Sequence, residues 1–530
     1  MKRVEARPDP IPFYPVLIVA AYVLNAWRDT TSGLGIMIRP LLIAVVAVGL
    51  LLLIVKLVAP RRLGVAAIVI TILLVLIEGE FGGLTDLASR LESQVVVVVW
   101  YALLIAAAAV AAWIGIRMLR RPGAVAAFTR FANVLGVALL FVVTVTSVLD
   151  GSAALAFAEV QLASQVTAEQ SSADNAPDIY VILLDAHPRA DELRDRYGLD
   201  EPGLAAALEE REFDVSEGSQ ANYMFTQQTL ASLFQMRHLV DIPEVMRPKD
   251  GSSNHALRMA VLDNPAFDVL REHGYEIVTV AAGYDSVRMS SADRVVDTGQ
   301  VSAFERHLIR RTVLIDALAT LWPDWLPGQL RDRVRGVFDA TADLAAEPHA
   351  RPRFTWVHVP SPHAPILFRA DGSPQEVPDI HTFQADSPQG VGLSRDEFVA
   401  ETLEQLEYLE QLTTGLVDEI ISASDGEAVI VVMSDHGFRV DVTLGEPSDP
   451  DLDERFGTLL AAHTPGHADL FGDTPTNINV MPILLNAYAG ADLECQPDEA
   501  FANGQGGYLD LHPVPAYDGA SPADCGRGGQ

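Results

Sequence analysis

The sequence predicts an N-terminal all-α transmembrane bundle followed by a C-terminal α/β domain with a mostly parallel central sheet. Three observations carry this expectation. The first 150 residues contain five long apolar runs. They also hold 13 Lys/Arg and 8 Asp/Glu, against 24 and 62 in the remainder. In that acidic remainder, short continuous apolar runs alternate with segments of helical periodicity.

At 530 residues the chain exceeds one ordinary domain. A mean hydropathy of +0.21 coexists with a net charge of −33 because apolar and charged residues are segregated. The acidic surface argues against nucleic acid as a partner, since it would repel phosphate backbones. It leaves anionic substrates open, provided that metal ions reverse the field locally. Two cysteines, Cys495 and Cys525, are too sparse for a zinc cluster. In an oxidising compartment they could pair; equally, they could remain two thiols.

The five apolar runs are Ile11–Trp27, Pro40–Ala59, Leu63–Ile77, Val95–Ile116 and Phe131–Leu149. Crossing a bilayer takes roughly 20 mostly apolar residues. The fourth and fifth runs meet this, and the second does so with Lys56 near its end, where its head reaches the headgroups. The first is short and contains Pro12 and Pro15, and the third is short. Loop charge favours five spans. Lys2, Arg3 and Arg7, then Arg61 and Arg62, then Arg117, Arg120, Arg121 and Arg130 alternate with basic-poor segments. By the positive-inside rule the N-terminus is cytoplasmic and the acidic domain lies outside. No ionisable residue sits mid-span, which disfavours a transporter.

Residues 150–176 are small and polar, as in a linker. Beyond them, Ile179–Leu184, Glu276–Val280, Phe354–Val359 and Ala428–Met433 read as strands buried on both faces. Asp263–His273 and Glu397–Ile421 read as helices, the second with Phe398, Leu403, Leu406, Leu409, Leu412 and Leu416 on one stripe.

Chemistry in open α/β sheets gathers beyond the carboxyl ends of the strands. Here those ends deliver Asp185 and His187, then His358 and His363, then Asp435-His436-Gly437. Carboxylates and imidazoles converging on one rim suit a divalent cation. Each residue alone has a bland reading: Asp after a strand often caps a turn, and a lone His is usually a satisfied polar group. Asp435-His436 followed by Gly is the sharpest of the three, because neighbouring ligands need a tight backbone turn.

The segments Pro177–Asp185, Asn222–Ser232, His358 to His363-Ala-Pro365 and Ser434–Gly437, in this order, resemble the sulfatase-like branch of the alkaline phosphatase superfamily. The layout is similar to its membrane-anchored members, the phosphoethanolamine transferases and lipoteichoic acid synthases. The resemblance covers roughly residues 177–490, before a Gly/Pro-rich tail at 491–530, and implies an alkaline phosphatase-like fold. It implies Asp185, Asp435 and His436 as metal ligands and Thr226 as nucleophile, with Thr229 the rival. His363 would protonate a leaving group, bind substrate oxygens or ligate a second ion. His358 would support the ligands from behind. The implied cofactor is one or two divalent ions, zinc or manganese before calcium or magnesium.

Three departures shape the expectation. No Cys/Ser-x-Pro-x-Arg motif stands at Thr226, so phosphoesters gain over sulfate esters. Phe438-Arg439 follows Asp-His-Gly where the lipid-modifying transferases place a further His, leaving His463 or His467 as downstream substitutes. Asp185-Ala186 lacks the paired aspartates of typical sulfatases.

The function expected is therefore a membrane-anchored, metal-dependent hydrolase or transferase, facing outward. Its substrates would be phosphoester groups of membrane lipids or envelope polymers. The alternatives are a non-catalytic glycan- or lipid-binding envelope protein and, more remotely, a transporter.

Overall fold

The computed structural model describes residues 10–28, 33–77, 123–149, 176–199, 203–248, 253–312, 321–377, 386–446 and 451–515, with isolated positions between them and Cys525–Gly526. The chain divides into two units. One comprises Met1–Phe157 with Val301–Pro323, the other Ala158–Gln300 with Asp324–Gln530.

In the first unit, four of the five apolar runs form helices: α1 (Tyr14–Arg28), α2 (Leu34–Val58), α3 (Leu63–Ile77) and α4 (Ala124–Leu149). The fourth run, Val95–Ile116, lies outside the described residues apart from isolated positions. Helices α2 and α4 are long and apolar enough to cross a membrane. Both expose their side chains instead of burying them, with Leu42, Ile43, Leu50 and Ile54 on α2 and Val134, Phe141 and Val148 on α4 open to the surroundings. A soluble core helix would bury these residues, and contiguous apolar surface of this extent marks a membrane or partner face.

Helix α1 starts late for a local reason. Asn133 of α4 accepts from the Phe13 and Tyr14 amides, both at 3.1 Å, and donates to the Ile11 carbonyl at 2.9 Å. These bonds satisfy donors that a helix start leaves orphaned. Pro15, in the first turn, has no amide to satisfy.

The second unit is built on a seven-stranded sheet. Its strands are β1 (Ile179–Leu184), β2 (Asp214–Val215), β3 (Glu276–Ala281), β4 (Arg294–Asp297), β5 (Arg353–Val359), β6 (Val429–Met433) and β7 (Leu460–His463), in the order β2-β7-β6-β1-β5-β3-β4. Strands β6, β1, β5, β3 and β4 run parallel, while β7 and β2 close one edge through antiparallel pairing. All six β1 residues are buried, and their alternation separates two cores. Ile179, Val181 and Leu183 pack on one face with Leu230, Phe234, Phe267 and Leu484. Tyr180, Ile182 and Leu184 pack on the other with Val337, Leu409 and Leu416. This double burial is why the central strands read as unbroken apolar runs.

The Gly/Pro-rich C-terminal stretch packs onto this unit. Phe501 donates its amide to the Asn222 carbonyl at 2.9 Å, and Phe501–Asn503 pairs with Leu511–Pro513. Cys495 and Cys525, whose pairing the sequence left open, form a disulfide with a Cα–Cα distance of 5.5 Å.

Candidate metal centre and active site

Three loops bring the site together at the carboxyl edge of the sheet. Asp185 follows β1, where its amide donates to the Val359 carbonyl at 3.1 Å and its carbonyl accepts from the His363 amide at 2.9 Å. The turn after it is tight, with Ala186 at φ 67°, a region that non-glycine residues rarely adopt. There the Ala186 amide donates to Asp435 Oδ1 at 3.0 Å, so the β1 turn orients the β6 carboxylate.

Asp435 and His436 follow β6. The Asp435 carbonyl accepts from Thr229 Oγ1 at 3.1 Å and from Asn477 Nδ2 at 3.2 Å. A Cβ on Gly437 would lie 2.1 Å from the Glu454 carbonyl oxygen and 3.0 Å from that of Gly457. Only glycine therefore allows the two chain segments to approach this closely.

Asp185, Asp435 and His436 each present one ligand atom, all within 4.8 Å of one another, and all three side chains are buried. Asp185 Oδ1 and Asp435 Oδ2 are buried without a hydrogen-bond partner. Orphaned carboxylate oxygens are costly in a protein interior, and a bound cation would relieve both. His436 Nδ1 donates to the Gly437 carbonyl at 3.0 Å, which leaves the Nε2 lone pair directed at the carboxylates. Burial, then the charge of Arg455, depresses the His436 pKa, keeping the imidazole in the neutral form that ligates. These residues fit a divalent cation.

Burial alone would raise the Asp185 pKa, but His363 and then His358 outweigh it and hold the carboxyl well below its usual range. His358 Nε2 stands 3.3 Å from Asp185 Oδ2. It is carried on β5 opposite Leu183, a strand register that sets it behind the carboxylate.

Thr226 opens the helix α7 (Thr226–Gln235), preceded in the same unit by α5 (Ala190–Tyr197) and α6 (Gly203–Glu209). Its Oγ1 lies 3.3 Å from His436 Nε2. The first amides of a helix point outward and favour an anion, so Thr226 carries both a hydroxyl and an electropositive backbone to this spot. Thr229, one turn on, is buried and its hydroxyl is committed to the Asp435 carbonyl.

His363 Nδ1 donates to the Ala364 carbonyl at 2.8 Å, while Nε2 lies 3.9 Å from Asp386 Oδ2. Burial works against its charge, but Asp185 and Asp386 outweigh it and raise the pKa.

His463 stands apart from the group. Strand β7 runs antiparallel to β6 and pairs His463 with Ile430, at the opposite end of β6 from Asp435. There His463 Nε2 meets the Gly426 carbonyl at 3.2 Å. His467 lies beyond it, with its ring 5.0 Å from that of Tyr488. The antiparallel edge thus carries both histidines away from the rim.

Three residues of the site were not among the sequence candidates. Arg455 is buried, donating from Nε to the Met224 carbonyl at 2.7 Å and from Nη1 to the Gly437 carbonyl at 3.0 Å. Its Nη2 sits 3.3 Å from His436 Nε2. Asp386 bridges Arg455 Nη1 at 3.3 Å and Arg439 Nη1 at 3.1 Å. Arg455 falls in the four-residue helix Asp453–Phe456, where neither a strand end nor a motif marks it.

The arrangement is that of an α/β domain with a buried carboxylate–histidine metal set beside a hydroxyl at a helix start. Residues 267–473 match the sulfatase family model. The matched stretch includes His358, His363, Asp435 and His436, and begins downstream of Asp185 and Thr226. No curated protein matches the chain. Similar solved structures include the C-terminal periplasmic domain of phosphoethanolamine transferase EptC from Campylobacter jejuni, 12% identical over 61% of this chain and 93% of that one, with a TM-score of 0.39. A second is the corresponding domain of EcEptC from Escherichia coli, 11% identical over 68% and 99%, TM-score 0.39. A third is an alkaline phosphatase superfamily protein from Vibrio parahaemolyticus, 13% identical over 65% and 81%, TM-score 0.36.

Proposed function

We propose that this protein is a membrane-anchored, metal-dependent enzyme that transfers or hydrolyses phosphoester-linked groups of lipid or envelope substrates outside the cytoplasm, with Thr226 as nucleophile. The observation that carries the reading is the position of Thr226 Oγ1, 3.3 Å from the Nε2 of His436, which clusters with two buried carboxylate oxygens that lack hydrogen-bond partners. Five spans, with the N-terminus inside, remain our reading of the loop charges.

Asp185, Asp435 and His436 would hold the cation, with zinc or manganese best suited to this mixed nitrogen and oxygen set. When bound, it would lower the pKa of a neighbouring hydroxyl and offset the charge of an ester oxyanion. The first amides of α7 receive the phosphoryl oxygens, and Arg455 adds a fixed positive charge beside them. Thr226 Oγ1 gives up its proton to solvent and attacks phosphorus, its bond to phosphorus forming as the ester oxygen leaves. His363, whose pKa is raised by neighbouring carboxylates despite its burial, would give its Nε2 proton to that oxygen. An alcohol or water then takes the group from Thr226 and returns the hydroxyl.

The test pairs metal content with activity in the purified full-length protein. Wild type is expected to hold a divalent ion in stoichiometric amount and to hydrolyse a chromogenic phosphoester. His436→Ala and Asp435→Asn should lose both properties. Wild-type protein with neither metal nor activity would overturn the reading in favour of a binding role.

A further inference from the structure

The α/β unit does not keep all of its own sequence. Between β4 and α10 (Trp325–Ala346), which follows α8 (Ser253–Leu262) and α9 (Pro265–Glu272) in the chain, Val301–Pro323 departs and joins the helical unit. The excursion begins with a helix, Ala303–Arg310, started by a capping box in which Ser302 accepts from the Glu305 amide and Glu305 accepts from the Ser302 amide. Phe304 and Leu308, one turn apart, share a face. They pack into a cluster with Val23, Ala26, Trp27 and Met37. Arg39 of α2 forms an ion pair with Glu305.

These contacts involve the last turns of α1 and the first turns of α2. The segment joining those helices is one of the basic-poor loops that the positive-inside rule assigns to the outer face. The loop charges and the packing of a segment 270 residues downstream thus select the same end of the α1–α2 hairpin, and they do so independently. At the close of the excursion, Leu321 and Trp322 are 64% and 61% exposed. Adjacent exposed Leu and Trp are unusual on a soluble surface. Trp favours the headgroup level, where its ring is half apolar and its N–H remains wet.

We propose that Val301–Pro323 is a second membrane attachment, in which Phe304 and Leu308 seat on the outer ends of α1 and α2 while Leu321 and Trp322 enter the outer headgroup layer of the bilayer. The occupant of the exposed Leu321–Trp322 surface is lipid, and the inference rests on reading the helical unit as a membrane anchor.

Depth-dependent quenching tests the proposal. Both native cysteines are tied in a disulfide, so a single introduced thiol can be labelled with bimane. Full-length Trp322→Cys and Leu321→Cys would be reconstituted into nanodiscs of phosphatidylglycerol and phosphatidylcholine, with nitroxide lipids or aqueous iodide as quencher. Leu50→Cys on α2 reports the bilayer and Glu419→Cys the aqueous side of the α/β unit. The expected result is at least twofold stronger nitroxide quenching at 321 and 322 than at 419, with iodide quenching reduced to a similar degree. Nitroxide quenching at 50 with iodide-accessible labels at 321 and 322 would overturn this inference and leave the anchor intact. Iodide-accessible labels at all four sites would overturn the anchor reading itself.

Discussion

Thr226 Oγ1 and His436 Nε2 lie 3.3 Å apart, although 210 residues separate them in sequence. The contact depends on the other ring nitrogen, because Nδ1 donates to the Gly437 carbonyl and leaves Nε2 as the acceptor facing the site. If Thr226 is the nucleophile, Thr226→Ala should lower kcat by about 10⁴-fold or more, while Thr226→Ser retains a measurable fraction. Steady-state hydrolysis of a chromogenic phosphoester, with metal content matched between variants, measures this. A fully active Thr226→Ala protein would remove the assignment.

Thr229 has a different part. Its hydroxyl donates to the Asp435 carbonyl from a buried position, so it steadies a ligand from behind. Thr229→Val should weaken metal binding by about tenfold and regain most activity when metal is added in excess. Titration with a competing chelator gives the affinity. Loss of turnover with unchanged metal affinity would point to Thr229 as the reacting hydroxyl.

Glu454 organises the loop that follows Asp-His-Gly. Its buried carboxylate accepts from the amides of Val440, Asp441 and Val442 at 2.6, 2.9 and 3.0 Å, and from the Tyr197 hydroxyl. Glu454→Gln replaces one acceptor oxygen with an amide donor facing those N–H groups. The expected loss is about 2–3 kcal/mol of stability, read from denaturant unfolding. An unchanged midpoint would show that the loop finds other partners.

Acid should act through Asp297. Burial opposes its charge, but Arg333 and then Arg288 outweigh it and lower the pKa from 3.8. A group depressed in the folded state contributes stability that is fully present above its unfolded pKa. That contribution is lost as pH falls through the folded value. Wild type should therefore lose stability below about pH 4, and Asp297→Asn should show a shallower acid limb. At neutral pH the substitution should cost about 2 kcal/mol, since Arg333 is buried and Asp297 is partly exposed. Unfolding midpoints between pH 3 and 7 provide the comparison, and parallel curves for both proteins would contradict it.

The central fold was legible because both faces of β1, β3, β5 and β6 are covered, which forces unbroken apolar runs into the sequence. Their ends accordingly drew attention to Asp185, His358, Asp435 and His436. The outer strands β2, β4 and β7 carried no such signal. Asp214–Val215 is two residues long, Arg294–Asp297 is half-exposed and begins and ends with charge, and Leu460–His463 uses small alanines. His463 was a candidate only as a downstream substitute for the missing His after Asp-His-Gly, and the antiparallel direction of β7, which decides at which end of the sheet its ring emerges, was not encoded in that spacing. Arg455 and Asp386 were illegible for another reason. Their importance lies in contacts across the fold, and no local spacing encodes them. The helix Ala303–Arg310 was missed for the same reason, since its partners Trp27 and Met37 lie far upstream.

The most direct test of the central claim is mass spectrometry of the metal-loaded, full-length protein, acid-quenched during turnover of a phosphoester. The account predicts a phosphoryl-linked adduct on the peptide containing Thr226, absent from Thr226→Ala and from His436→Ala. An adduct on another residue, or undiminished turnover by Thr226→Ala, would contradict it.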